Sequence, residues 1–210
     1  ADGIPAITYG LRGIAYFELR VDGPEMDLHS GVFGGAVDNP ANVLTEILAG
    51  LKDRNGRIQI DGFYEKVREL TPVERAEMAR LPHDEAAFCK SIGIPKTHGE
   101  SGFTTLERRW IRPTCDVNGL FGGYQGEGSK TVLPAWAGAK VSFRLVPDQE
   151  PHEIYLLFKK HIEKVTPPTV KVTLSELHGG MPVLVPIAGE AMNAARRAVA
   201  KGFEKEPVMI

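Results

Sequence analysis

Met26-Asp27-Leu28-His29-Ser30-Gly31-Val32-Phe33-Gly34-Gly35 places a histidine at the end of a strand pattern and just ahead of a helix. Small hydroxyl and glycine residues flank it, which holds the imidazole toward solvent or a partner rather than in a core. The strand before it is read from alternation: Ala15, Phe17, Leu19 and Val21 fall on one side, and Tyr16, Glu18 and Arg20 on the other. After it, Asn39-Pro40 supplies an N-cap residue and a proline at the first helical position, and Val43, Leu44, Ile47, Leu48 and Leu51 recur at helical spacing. Asp53-Arg54-Asn55-Gly56 ends that helix with turn chemistry.

The rest of the core follows the same two periods. A strand signal broken by Pro113 runs over 110–120, and a clearer one over 136–146 turns Ala139, Val141, Phe143 and Leu145 inward and Lys140, Ser142 and Arg144 outward. Pro151 opens a helix with Ile154, Leu157, Phe158, Ile162 and Val165 on one face. Val170, Val172 and Leu174 alternate in a last strand, ending at Glu176-Leu177-His178-Gly179-Gly180. The order strand, helix, strand, strand, helix, strand predicts an α+β fold: a ferredoxin-like split βαβ, with a four-stranded antiparallel sheet and two helices on one face. Residues 58–102 read as a helical insertion between the first helix and the second strand, with short surface helices over 75–81 and 84–92 and a loop over 95–102. Beyond Pro182 an alanine-rich helix over 187–203 precedes a last strand signal over 207–210.

Composition narrows the function. The 210 residues carry 25 Lys and Arg against 27 Asp and Glu, a net charge of −2, which argues against a nucleic-acid partner. No apolar run approaches the roughly 20 residues of a membrane span. Cys89 and Cys115 stand far apart, outside any metal-ligand spacing, and read as reduced thiols of a cytoplasmic protein. Neither end looks natural: Ala1-Asp2-Gly3 lacks an initiator methionine, and Val208-Met209-Ile210 stops without a polar tail, so a fragment is expected.

Few residues are placed to do chemistry. His29 is either a surface or capping histidine, or a donor for an oxyanion. Arg144, on the outward side of its strand, either pairs across the sheet with a residue such as Glu18 or holds a carboxylate with its planar fork. His178, by its residues alone, reads as part of a strand-end turn. The glycine-rich stretch 119–129 lacks Rossmann spacing, and Lys130-Thr131 does not complete a P-loop. His152 and Glu153 open a helix without a second histidine at zincin spacing, and His83, His98 and His161 read as solvated-face residues.

Asp27-Leu28-His29-Ser30-Gly31, Lys130-Thr131-Val132-Leu133-Pro134 and Phe143-Arg144-Leu145-Val146-Pro147, in that order, resemble one known family. It is the lid, or dimerisation, domain of the dinuclear-zinc dipeptidase, carboxypeptidase and aminoacylase metallopeptidases, with the carnosinase-like cytosolic dipeptidases as the nearest branch. The resemblance implies that His29 crosses a dimer interface and stabilises the oxyanion in the other subunit. It implies that Thr131 contacts substrate beside it, that Arg144 binds the substrate's free carboxylate, and that His178 lies near the substrate. Two zinc ions, or another divalent metal, belong to a catalytic domain whose ligands have no match here, so no metal is expected in this chain. Residues 1–9 would then leave the catalytic domain, 10–182 form the lid and 183–210 re-enter. The expected partners are that catalytic domain, a second copy in a homodimer and a small peptide, and the fragment alone is expected to be inert. The alternative from another class is a stand-alone ferredoxin-like ligand-binding or regulatory module.

Overall fold

The computed structural model describes residues 3–210, the side chains of residues 73 and 77 apart. Ala1 and Asp2, the first residues of the expected exit segment, lie outside the described residues. The chain runs through β1 (Ala6–Ile7), β2 (Gly10–Leu11), the long strand β3 (Gly13–Asp22), β4 (Leu28–His29), α1 (Ser30–Phe33) and α2 (Pro40–Gly50). Three helices follow, α3 (Pro72–Ala79), α4 (Glu85–Ile92) and α5 (Thr105–Trp110). Then come β5 (Thr114–Gly122), β6 (Val132–Leu133), β7 (Trp136–Leu145), α6 (Pro151–Val165) and β8 (Lys171–Gly180). The last elements are β9 (Val183–Leu184), α7 (Glu190–Phe203) and β10 (Val208–Met209).

β5, β7, β3 and β8 form, in that order, one antiparallel sheet, the split βαβ topology that the alternation predicts. α2 packs on β3 and β7, and α6 on β3 and β8. Both helices cover the face that carries Ala15, Phe17, Leu19 and Val21, so these side chains and their partners Ala139, Val141 and Phe143 are buried. Phe17 meets Phe143 and Phe158 with ring centroids 5.9 and 5.6 Å apart, an aromatic centre to the core. α2 starts where Asn39 Oδ1 accepts from the Ala41 amide at 2.9 Å, one residue after a proline that fits the first turn. Among the described residues, no helix packs on the opposite face of the sheet as α2 and α6 do on this one.

Two details differ from the sequence reading. Residues 105–110 are helical, and β5 begins only at Thr114. The reason is a capping box: the Thr104 hydroxyl accepts from the Glu107 amide, and a Glu107 carboxylate oxygen accepts from the Thr104 amide at 2.6 Å. The second difference lies within β8, which runs to Gly180 as expected but is not regular. A bulge at Leu177 sets Phe17 opposite Glu176 and Tyr16 opposite His178. The extra residue switches His178 to the helix-free face. Gly179 points the other way, where a Cβ would stand 2.7 Å from Pro151 of α6.

The insertion enters the main core through Ile58, Ile60 and Phe63, and its later part is held largely by ions. Arg112 binds Glu100 through two bonds of 2.7 Å, with both side chains buried, and its guanidinium lies 4.2 Å from the Phe103 ring. Glu85 takes hydrogen bonds from the hydroxyls of Thr97 and Thr105 and pairs with His83, tying α4 to the segment before α5. These bonds, Thr97 first, lower its pKa from 4.5 to about 2. A carboxylate depressed on folding adds stability above its unfolded pKa and loses it below. Acid melting between pH 4.5 and about 2 should therefore be less steep in Glu85→Gln, as seen by thermal melts across that window.

Candidate functional site

β4 and β6 form a short antiparallel pair that straps the histidine segment against residues 131–135. Ser30 donates its amide to the Thr131 carbonyl at 3.0 Å, and Asp27 Oδ1 accepts from the Ala135 amide at 2.9 Å. His29 caps α1 with its ring: Nδ1 accepts from the Gly31 amide at 3.0 Å. A neutral imidazole that accepts at Nδ1 carries its proton on Nε2. Nε2 lies 3.2 Å from Thr131 Oγ1, so it donates there, and both residues are exposed. Gly31 is required by this packing, since a Cβ there would stand 2.9 Å from His29 Cε1. The two residues singled out at positions 29 and 131 are thus brought together. The anchoring role of Asp27 was missed; its place two residues before the histidine is the one signal that pointed to it.

Arg144 stands on the helix-free face of β7, opposite Ile14 on β3 and Thr114 on β5. The cross-strand pair weighed for it does not form, because Glu18 faces Lys140 at 3.4 Å instead. Among the described residues Arg144 makes no ion pair and no hydrogen bond. His178 lies on the same face, edge-on to Tyr16 with ring centroids 5.1 Å apart. β3 separates the two residues, so they stand about 10 Å apart across it. Tyr16, which the alternation placed outward, is a neighbour of His178 that was not singled out for chemistry.

Several expectations need correcting or filling in. His161 is half-buried between α2 and α6 rather than fully solvated, and burial lowers its pKa. His83 is engaged by Glu85 at 2.9 Å. The glycine-rich loop leads into β6, not into a helix, and Tyr124 folds back to donate to the Glu127 carbonyl at 2.7 Å. Cys89 and Cys115 are both free and buried, and burial pushes the Cys115 thiol up to about 12. Among the described residues no group of three or more His, Cys, Asp or Glu could hold a metal ion, so the residues present do not fit a zinc site. No helix among them is long and apolar enough to cross a membrane.

Residues 9–170 match the sequence signature of the peptidase dimerisation domain. The chain belongs to that family. A Cys-Gly metallodipeptidase of Schizosaccharomyces pombe is 40% identical over 161 residues, 77% of this chain and 34% of the relative. The crystal structure of human carnosine dipeptidase 1 superposes with a TM-score of 0.82 at 32% identity, over 99% of this chain and 45% of that one. A metallo-carboxypeptidase from Sulfolobus solfataricus gives a TM-score of 0.84 at 33% identity, over the whole of this chain and 47% of its own. The chain therefore spans between a third and a half of these proteins' length.

Within this dimerisation domain the site residues fall into two groups at opposite ends of the sheet. Asp22 and Trp136 pair at one end, next to the His29 strap, and Ile14 and Arg144 pair at the other. Eight residues of antiparallel strand separate Trp136 from Arg144, about 27 Å at the usual rise. A dipeptide extends at most about 7 Å.

Proposed function

We propose that this chain is the substrate-capping and dimerisation lid of a metallopeptidase that cleaves short peptides with a free C-terminal carboxylate. The observation that carries this reading is the separation of His29 and Thr131 from Arg144 and His178. Each group is exposed, and a second copy is the simplest way to bring them to one substrate. Arg144 holds the carboxylate with an unoccupied fork, and His178 borders the same face. His29 arrives from the partner subunit with its Nε2–H free to exchange the exposed Thr131 hydroxyl for a carbonyl oxygen gaining charge. Such a donor is worth about 2.7–4 kcal/mol at the transition state.

Residues 10–182 form the lid in this reading, and 1–9 and 183–210 belong to the catalytic domain. α7 supports that division: none of its residues is buried, and Phe203 is 64% exposed, as expected of a helix that packs against more of the parent. The metal would be held entirely by that other domain, which supplies the Lewis acid, and this chain alone is inert. The two buried free thiols fit a reducing compartment such as the cytoplasm.

The test is complementation in the full-length parent. His29→Ala and Arg144→Ala should each abolish most turnover. Mixed and re-equilibrated, the two should recover about a quarter of the wild-type rate, because half of the random dimers are hybrids and each hybrid keeps one intact site. A mixture no more active than its components would place His29 in its own subunit's site.

A further inference from the structure

The end of the open face that carries Arg144 holds more positive charge than its carboxylates balance. Arg12 precedes β3 and lines the cleft between β2, β9 and the insertion, with Val146, Pro147 and Trp110. Ile14 pairs with Arg144 and Gly13 with Leu145, so Arg12 continues the strand as the diagonal neighbour of Arg144. Such positions lie about 7–8 Å apart. Arg12 is half-buried, yet its single hydrogen bond among the described residues is a long one, 3.5 Å to the Arg112 carbonyl. Burial, and then the charges of Arg144 and Arg109, lower its pKa, as expected of a cation pressed against other cations. Asp116 offers the nearby carboxylate, but its oxygens face the Thr114 hydroxyl at 2.9 Å and Lys52 at 3.8 Å. Buried charges are ordinarily paired, and two adjacent guanidiniums with open forks are a site for anions.

We infer that Arg12 is a second anion-binding residue beside Arg144, and that the site takes peptides whose C-terminal residue is aspartate or glutamate. The inference rests on the reading that Arg144 holds the α-carboxylate. One carboxylate fills one bidentate fork. Arg12 then stands a short way off with its own fork open, where a side-chain carboxylate one or two methylenes beyond Cα arrives. A neutral C-terminal residue leaves Arg12 without an anionic partner.

The experiment compares kcat/KM of the full-length parent on Ala-Glu and on Ala-Ala. Arg12→Gln should lower the Ala-Glu to Ala-Ala ratio by about tenfold or more, the loss expected when one charge-assisted bond is removed. The fall should lie mainly in KM for Ala-Glu. Arg12→Lys keeps the charge without the fork, so its ratio should lie between the two, and it serves if the glutamine variant does not fold. Arg144→Gln should lower kcat/KM on both substrates. If it does so while Arg12→Gln leaves the ratio unchanged, the inference fails and the role of Arg144 stands. If Arg144→Gln spares both substrates, the carboxylate reading falls and the inference falls with it.

Discussion

His29→Ala in the full-length parent should lower kcat by about 10²–10³ while KM changes little, the mark of a donor used mainly in the transition state. The size of the effect follows from how the ring is fixed. Its Nδ1 accepts the Gly31 amide, which commits the proton to Nε2, and the β4–β6 pair holds the whole segment in place. The donor is therefore oriented before substrate arrives and needs no reorganisation during reaction. His29→Gln, which retains an N–H donor without the ring's fixed geometry, should fall between wild type and alanine. Steady-state kinetics on any cleaved dipeptide decides the matter. Turnover within about twofold of wild type for the alanine variant would remove His29 from the chemistry.

Glu100→Ala should be the most destabilising loss of a charged group in the insertion. It leaves the Arg112 guanidinium, 3% exposed, without the carboxylate that binds it twice at 2.7 Å. Breaking a buried pair from one side costs about 3–5 kcal/mol, because the remaining charge cannot reach water. For a chain of this size that corresponds to a fall in Tm of roughly 6–20 °C, measured by calorimetry or circular dichroism. Replacing both partners by apolar residues of similar volume should restore much of the loss. A shift below about 2 °C for Glu100→Ala would mean that water reaches Arg112 in the folded state.

The core was legible because period-2 alternation in 13–22 and 136–145 and helical spacing in 40–50 and 151–165 agree with one another. Residues such as Phe17, Phe143 and Phe158 announce their burial by position alone. Two features needed coordinates. The bulge at Leu177 decides which face His178 takes, yet no residue type marks it, since a one-residue slip in pairing leaves no trace in composition. α5 was hidden because Trp110 and Ile111 continue an apolar pattern into β5, while the Thr104–Glu107 box that starts the helix lies on the far side of a loop. At the site, the nearness of His29 to Thr131 spans 102 positions and depends on strand pairing. Local sequence therefore named both residues but could not place them side by side.

The lacing of β2 to β9 bears on motion. Gly10 and Leu11 pair with Leu184 and Val183, so the two chain crossings at the foot of the lid form one ribbon rather than two separate tethers. In the proposed lid, a two-stranded ribbon of this kind would act as a hinge that favours swinging about a single axis. Arg144 lies near that hinge and would travel little, whereas the His29 strap adjoins Trp136, about 27 Å from Arg144 along β7, and would sweep a wider arc. In a homodimer that exchanges histidines, a swing that closes one catalytic cleft displaces the donor serving the other. On the proposed reading, the two subunits would then be coupled through leverage, and cooperativity in turnover would follow from the length of a β-strand.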